Sequence, residues 1–192
     1  MRNIFLFISV GILASLSYAS ELYRTSPEKY IGKSKTIELD IGKEYMAVTS
    51  DPQATKAAYE ILSDGGSAAD AAIAAQLVLG LTEPQFSGLG GGAFIMYYDA
   101  NNKTLTALDG RETAPLASMP EYFLKNNIEP MGFYEAVLDG RSVGIPGTPA
   151  LLGELHERFG KTNMQKLIEP ALNLAVNGFS PSKGLLESLE ND

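Results

Sequence analysis

A glycine-dense loop, Ser87-Gly88-Leu89-Gly90-Gly91-Gly92-Ala93, runs into an apolar, strand-like stretch that finishes on Asp109-Gly110-Arg111-Glu112-Thr113-Ala114-Pro115. This order constrains the chain more than any bulk property. It sets an arginine just past a strand end, beside a glutamate, between turn-forming residues and a helix-stopping proline. That setting suits a guanidinium held for a carboxylate ligand. In a partly desolvated site such a contact is worth roughly 1.5 to 3 kcal/mol per charged hydrogen bond, enough to select an amino-acid-like ligand. The competing reading is a surface arginine that simply pairs with Asp109 or Glu112.

The glycine loop resembles a phosphate cradle only superficially. It lacks the lysine and following hydroxyl of a P-loop and leads into a strand instead of a helix, so nucleotide binding is not expected. Two readings of its glycines remain. They permit positive φ and tight backbone packing, or they let a ligand, such as one held by Arg111, lie close to the main chain.

The punctuation on either side predicts a mixed helix and strand domain starting near Tyr45. Met46 to Thr49 is a short strand candidate. Asp51-Pro52 reads as an N-cap followed by proline at the first helical position, with the helix running to about Leu62 and closed by Gly65-Gly66. Ser67 and Asp70 form an acidic variant of the capping box ahead of Ala68 to Leu81, whose apolar residues lie on nearly every face and so predict a buried helix. Pro84 stops that pattern. Ala93 to Tyr98 and Thr104 to Leu108 read as antiparallel strands joined by the turn-rich Asp99 to Lys103. Further on, Pro120 to Leu124 is a helical turn candidate, and Thr148-Pro149 caps a helix through Phe159. Met164 to Val176 follows with Pro170 predicting a kink or a late restart, Gly178 closes it, and Leu185 to Leu189 is helix-prone.

Composition removes several classes of function. With 45% hydrophobic and 20% charged residues the chain can bury a core. Its net charge of −8 argues against broad contact with nucleic acid or anionic lipid. The absence of cysteine removes disulfides, thiol nucleophiles and thiolate metal sites. The single histidine, His156, lies among Glu154, Glu157 and Arg158, where a solvated helix face is the expected reading. A Ser-His-Asp triad has no nucleophile turn around it, and a zinc cluster has no ligand set. No metal and no cofactor are expected. At the N-terminus, Arg2, the apolar run Ile4 to Leu16 and the small pair Ser17 and Ala19 read as a secretory signal peptide over residues 1–19. The apolar run is short of the roughly 20 residues of a membrane span. Residues 20–44 read as an irregular mature N-terminus, and residues 45–192 as the domain.

AVTSDPQAT at Ala47 to Thr55, DGGSAADAAIAA at Asp64 to Ala75, EPQFSGLGGGAF at Glu83 to Phe94, DGRETAP, and VGIPGT at Val143 to Thr148 together resemble the gamma-glutamyltranspeptidase family, also known as gamma-glutamyltransferases or glutathione hydrolases. The resemblance runs from Met46 to about Pro181. It implies an α+β fold of the N-terminal-nucleophile hydrolase type, a four-layer αββα sandwich of which only the N-terminal portion is present. It also implies a periplasmic or secreted enzyme that cleaves gamma-glutamyl amides such as glutathione and passes the glutamyl group to water, an amino acid or a peptide. Arg111 occupies the place of the family's arginine for the glutamyl alpha-carboxylate, with Glu112 as its support. The family's nucleophile is a threonine that becomes the first residue of a small subunit when the precursor cuts itself, and it lies beyond the region matched here. The resemblance therefore implies no catalytic residue in this chain, no activity of the chain alone, and a partner in the C-terminal part of the precursor. A related acylase for glutaryl or beta-lactam side chains is the alternative enzyme, and a truncated binding module the alternative outside enzymes.

Overall fold

The structure, a computed structural model, describes residues 41–190. The expected signal peptide over 1–19 and all but the last residues of the 20–44 stretch lie outside the described residues.

Helix α1, Pro52–Ser63, starts where the sequence says it must. The Asp51 carboxylate accepts from the backbone N–H of Gln53 at 2.9 Å and of Ala54 at 3.2 Å, and Pro52 occupies the first turn, where no N–H is needed. Ala54, Ala57, Ala58 and Ile61 make its buried stripe at helical spacing. Gly65, at φ 86°, supplies the left-handed residue that ends it, and the Gly66 N–H closes on the Ile61 carbonyl at 2.9 Å.

Helix α2, Ala68–Thr82, is the centre of the core. Its capping box is complete: Asp70 N–H donates to Ser67 Oγ at 3.1 Å and Ser67 N–H to Asp70 Oδ2 at 2.8 Å. Ala69, Ala71, Ile73, Ala74, Ala75 and Val78 are all buried, because α2 is covered by α1 and by two later helices, α5 (Thr148–Phe159) and α6 (Met164–Asn177). Small side chains on every face let these neighbours approach closely. Pro84 both ends α2 and opens the short helix α3, Pro84–Ser87.

Strands β1, Ala93–Asp99, and β2, Thr104–Gly110, form the expected antiparallel hairpin, in register from Ala93 opposite Gly110 to Asp99 opposite Thr104. Asp99 folds the turn by accepting from Asn101 N–H at 2.9 Å and Asn102 Nδ2 at 2.6 Å. The strand period of two divides the hairpin cleanly. Ile95, Tyr97 and Leu108 pack on the helices, with Tyr97 stacked on Phe159 at 4.0 Å between ring centroids. Phe94, Met96, Tyr98 and Leu105 are exposed on the other face.

Several expectations need correction. Residues 46–49 alternate in burial, but they join no ladder among the described residues, so they are not a strand here. Pro120 to Leu124 is a pair of hydrogen-bonded turns, Tyr122 N–H to Met119 O and Leu124 N–H to Glu121 O, and not a helical turn. They lead into a small hairpin, β3 (Leu124–Lys125) with β4 (Glu129–Pro130), that the sequence reading lacked. Asn126 and Asn127 turn it in the left-handed region that asparagine tolerates. Helix α4, Phe133–Leu138, was also unforeseen; it buries no residue and so carries no periodic signature. Helix α6 contains Pro170 but runs on from Met164 without a late restart. Gly178, at φ 81°, ends it, and α7 covers Lys183–Glu190.

His156 is not on a solvated face. It is half-buried, and its Nε2 lies 2.7 Å from the Thr162 carbonyl oxygen. The α5–α6 connection is fastened to the start of α2 as well: the buried Asp70 carboxylate accepts from Lys161 N–H at 3.0 Å and Thr162 N–H at 3.2 Å, while Ser67 Oγ donates to Phe159 O at 2.9 Å. Burial pushes the Asp70 carboxyl upward, but the hydrogen bonds from Ser67, Lys161 and Thr162 outweigh it and hold the group below its ordinary value.

Candidate functional site

Arg111 follows directly on the last residue of β2, as its place in the sequence predicts. Its two acidic neighbours divide their work. Asp109 Oδ1 accepts the Arg111 backbone N–H at 2.9 Å and shapes the turn, whereas Glu112 Oε2 lies 3.1 Å from Arg111 Nε. Of the two expected partners, only Glu112 therefore engages the guanidinium. The Arg111 side chain is 62% exposed and that of Glu112 29%, so by itself the pair adds little to stability, about 0 to 1 kcal/mol. Its consequence is orientation. Among the described residues neither Arg111 Nη donates a hydrogen bond, and this leaves the fork edge suited to a bidentate carboxylate.

Glu112 is set by backbone packing around it. A Cβ on Gly92 would fall 2.7 Å from Glu112 Oε2 and 2.6 Å from the Gly110 carbonyl oxygen; one on Gly144 would fall 2.9 Å from Glu112 Cβ. Neither position admits a side chain. Within the Ser87 to Ala93 loop it is Gly92 that serves close approach. The expectation of positive φ there is overturned, since the glycines with positive φ among the described residues are Gly65 and Gly178.

The segment Val143 to Thr148 completes the junction. Ile145 N–H donates to Thr113 O at 2.9 Å, and the Gly91 carbonyl accepts from Gly147 N–H at 3.0 Å, Thr148 N–H at 3.1 Å and Thr148 Oγ1 at 3.1 Å. The expected cap therefore shifts by one residue: Thr148 is the first helical residue of α5, and Gly147 precedes it. Three motifs separated in sequence, the glycine loop, Asp109 to Pro115 and Val143 to Thr148, meet at Glu112 and Arg111.

A second arginine lies nearby and went unnoticed in the sequence. Arg141, beside an open cleft of about 350 Å³ that also touches Glu112 and Gly144, donates from Nε and Nη2 to Asp139 at 2.8 and 2.9 Å and from Nη1 to Tyr122 O at 2.9 Å. Its side-chain hydrogen bonds hold the Asp139 carboxyl down at about 2. With both edges engaged, Arg141 braces its loop, whereas Arg111 keeps an edge for a ligand.

Comparison with known proteins gives the same direction at three levels. The family described as Gamma-glutamyltranspeptidase matches residues 54–192. The glutathione hydrolase proenzyme of Bacillus subtilis strain 168 is 40% identical over 154 residues, covering 80% of this chain and 26% of the relative; that of Escherichia coli K12 is 34% identical over 148 residues, covering 77% and 25%. The chain thus spans about a quarter of the length of these curated relatives. Helicobacter pylori gamma-glutamyltranspeptidase superposes with a TM-score of 0.74 at 32% identity, covering 80% of this chain and 44% of that one. The fold is accordingly that of an N-terminal-nucleophile hydrolase, of which these helices and hairpins form a part. Profile, sequence and three-dimensional similarity coincide on the segment that carries the junction around Arg111, and the chain belongs to the gamma-glutamyltranspeptidase family.

Proposed function

We propose that this chain is the N-terminal part of the large subunit of an exported gamma-glutamyltransferase, and that Arg111 binds the alpha-carboxylate of the glutamyl donor. The observation that carries the reading is the Arg111 fork, held through Nε by Glu112 at the junction of three motifs and open at its Nη edge. Arg111 anchors glutathione or another gamma-glutamyl amide by the end remote from the scissile bond. The amide carbonyl is then presented to a threonine nucleophile in the C-terminal part of the precursor, which begins the small subunit. The threonine oxygen bonds the amide carbon as the C–N bond breaks and the amine leaves with a proton, and water or the amine of an amino acid or peptide then takes the glutamyl group and restores the threonine hydroxyl. This chain supplies binding and orientation, and alone it is inactive.

The test uses the complete protein that carries this chain. Wild type should cut itself into two subunits, seen by mass spectrometry, and hydrolyse gamma-glutamyl-p-nitroanilide. Arg111→Ala should weaken use of the donor by roughly 2 to 5 kcal/mol, the cost of leaving a charge without its partner in a binding site. An unchanged KM for the donor in that variant would refute the carboxylate assignment. Glutaryl-p-nitroanilide, which keeps the carboxylate but lacks the alpha-amino group, separates transferase from acylase specificity.

A further inference from the structure

The start of α5 is capped from outside its own segment. Gly147, the residue before the helix, has no side chain to accept a hydrogen bond, and the first N–H groups of the helix need an acceptor. The Gly91 carbonyl, from the glycine loop, takes that place: it accepts from Gly147 N–H, Thr148 N–H and Thr148 Oγ1, the last across 57 residues of sequence. Thr148 is buried, at 2% exposure, so this hydroxyl has no water to exchange with.

Gly91 is the residue before Gly92, whose backbone lies under the Glu112 carboxylate; a Cβ on Gly91 would itself stand 3.4 Å from Glu112 Oε1. On the other side, a Cβ on Gly147 would overlap the Gly110 carbonyl, so the helix start, the end of β2 and the glycine loop touch backbone to backbone. A shift of the Gly91 carbonyl therefore moves the floor beneath Glu112, and with it the partner of Arg111 Nε.

We propose that Thr148 is a positioning residue for Arg111: its hydroxyl fixes Gly91, Gly91 and Gly92 fix the Glu112 carboxylate, and Glu112 orients the guanidinium. The inference rests on the reading of Arg111 as the donor-carboxylate residue. It gives the glycine loop a role as the template for an ion pair, distinct from that of a ligand cradle.

The experiment compares wild type, Thr148→Val and Thr148→Ser in the complete protein, with kcat and KM measured separately on gamma-glutamyl-p-nitroanilide. Valine keeps the shape and removes the hydroxyl. Misplacing a group that binds donor and transition state alike raises KM and leaves kcat nearly constant, so Thr148→Val should raise KM about fivefold, the size transmitted by one neutral hydrogen bond. Thr148→Ser should keep KM within about threefold of wild type, since the donor to Gly91 is retained. A merely structural threonine would lower the yield or melting temperature of Thr148→Val and leave KM of the processed enzyme unchanged; that result overturns the proposal. Should the valine variant fail to fold, Thr148→Ala decides: a KM rise of about fivefold that Thr148→Ser does not show supports the hydroxyl's role, and an unchanged KM overturns it. A wild-type protein without gamma-glutamyl hydrolysis would instead sink the functional reading beneath the inference.

Discussion

Asp70→Asn is the perturbation whose size the structure defines best. The carboxylate is fully buried and accepts from Ser67 N–H at 2.8 Å, Lys161 N–H at 3.0 Å and Thr162 N–H at 3.2 Å, so it joins the start of α2 to the α5–α6 connection. Asparagine keeps one carbonyl oxygen but replaces the other with an NH2 group that faces donors. All three N–H groups point at Oδ2, and Lys161 N–H is shared with Oδ1 at 3.1 Å, so an amide oxygen in the Oδ2 position keeps the acceptors, but every bond loses its charge assistance and the NH2 group faces the Lys161 N–H. With charged hydrogen bonds worth about 1.5 to 3 kcal/mol and neutral ones about 0.5 to 1.5, weakening three bonds by about 1 kcal/mol each makes the net loss roughly 2 to 4 kcal/mol. Hydrogen exchange read by mass spectrometry on the complete protein gives the local measure. Protection of the Lys161 and Thr162 amides should fall by about 30- to 900-fold, within the limit set by global unfolding. The pH dependence supplies an independent sign. Because the folded-state pKa is depressed, the carboxylate's contribution is fully present above about pH 5 and is lost as pH falls through the folded-state value, below the ordinary value of about 3.9. The gap in melting temperature between wild type and Asp70→Asn should therefore be larger at pH 7 than at pH 3. A gap that is equal or wider at pH 3 would refute the reasoning, as would unchanged protection at Lys161 and Thr162.

Two further outcomes are expected. Pro170→Ala should stabilise the protein by about 1 to 3 kcal/mol in thermal melts, because Pro170 lies inside α6 without an N–H to return to the preceding turn; a lower melting temperature would show that the proline is needed by its surroundings. The 192-residue chain expressed alone should aggregate through the apolar face of the β1–β2 hairpin, and the pair Met96→Lys and Tyr98→Glu should raise its soluble fraction. A soluble, cooperatively melting monomer of the unmodified chain would count against this.

Much of the local structure was legible in the sequence because its determinants lie within a few residues of one another. Asp51-Pro52, Ser67 with Asp70, and Gly65 and Gly178 mark helix ends through side-chain caps and positive φ, and the structure reproduces each. The apolar run Ala93 to Tyr98 and the turn-rich Asp99 to Lys103 specify the hairpin in the same way. The same rules placed Arg111 just past β2. Helix α4 escaped because it buries nothing, and residues 46–49 are no strand because a short apolar stretch does not supply a ladder partner.

What only the tertiary structure decided are the relations between distant segments. Asp109, two residues before Arg111, and Glu112, directly after it, are both within reach in sequence, yet one shapes the backbone and the other meets the guanidinium, because Glu112 is wedged against Gly92 and Gly144. Within the glycine loop Gly92 must lack a side chain for the approach of Gly110 and Glu112, a contact that no spacing within the loop reveals. Thr148 looks like an ordinary helix start until the Gly91 carbonyl is brought to it from 57 residues away. Caps and turns satisfy their hydrogen bonds within a few residues, so the sequence by itself determines them. The acceptor of a buried donor, or the wall beside a missing Cβ, is determined only once separate segments of backbone have packed together.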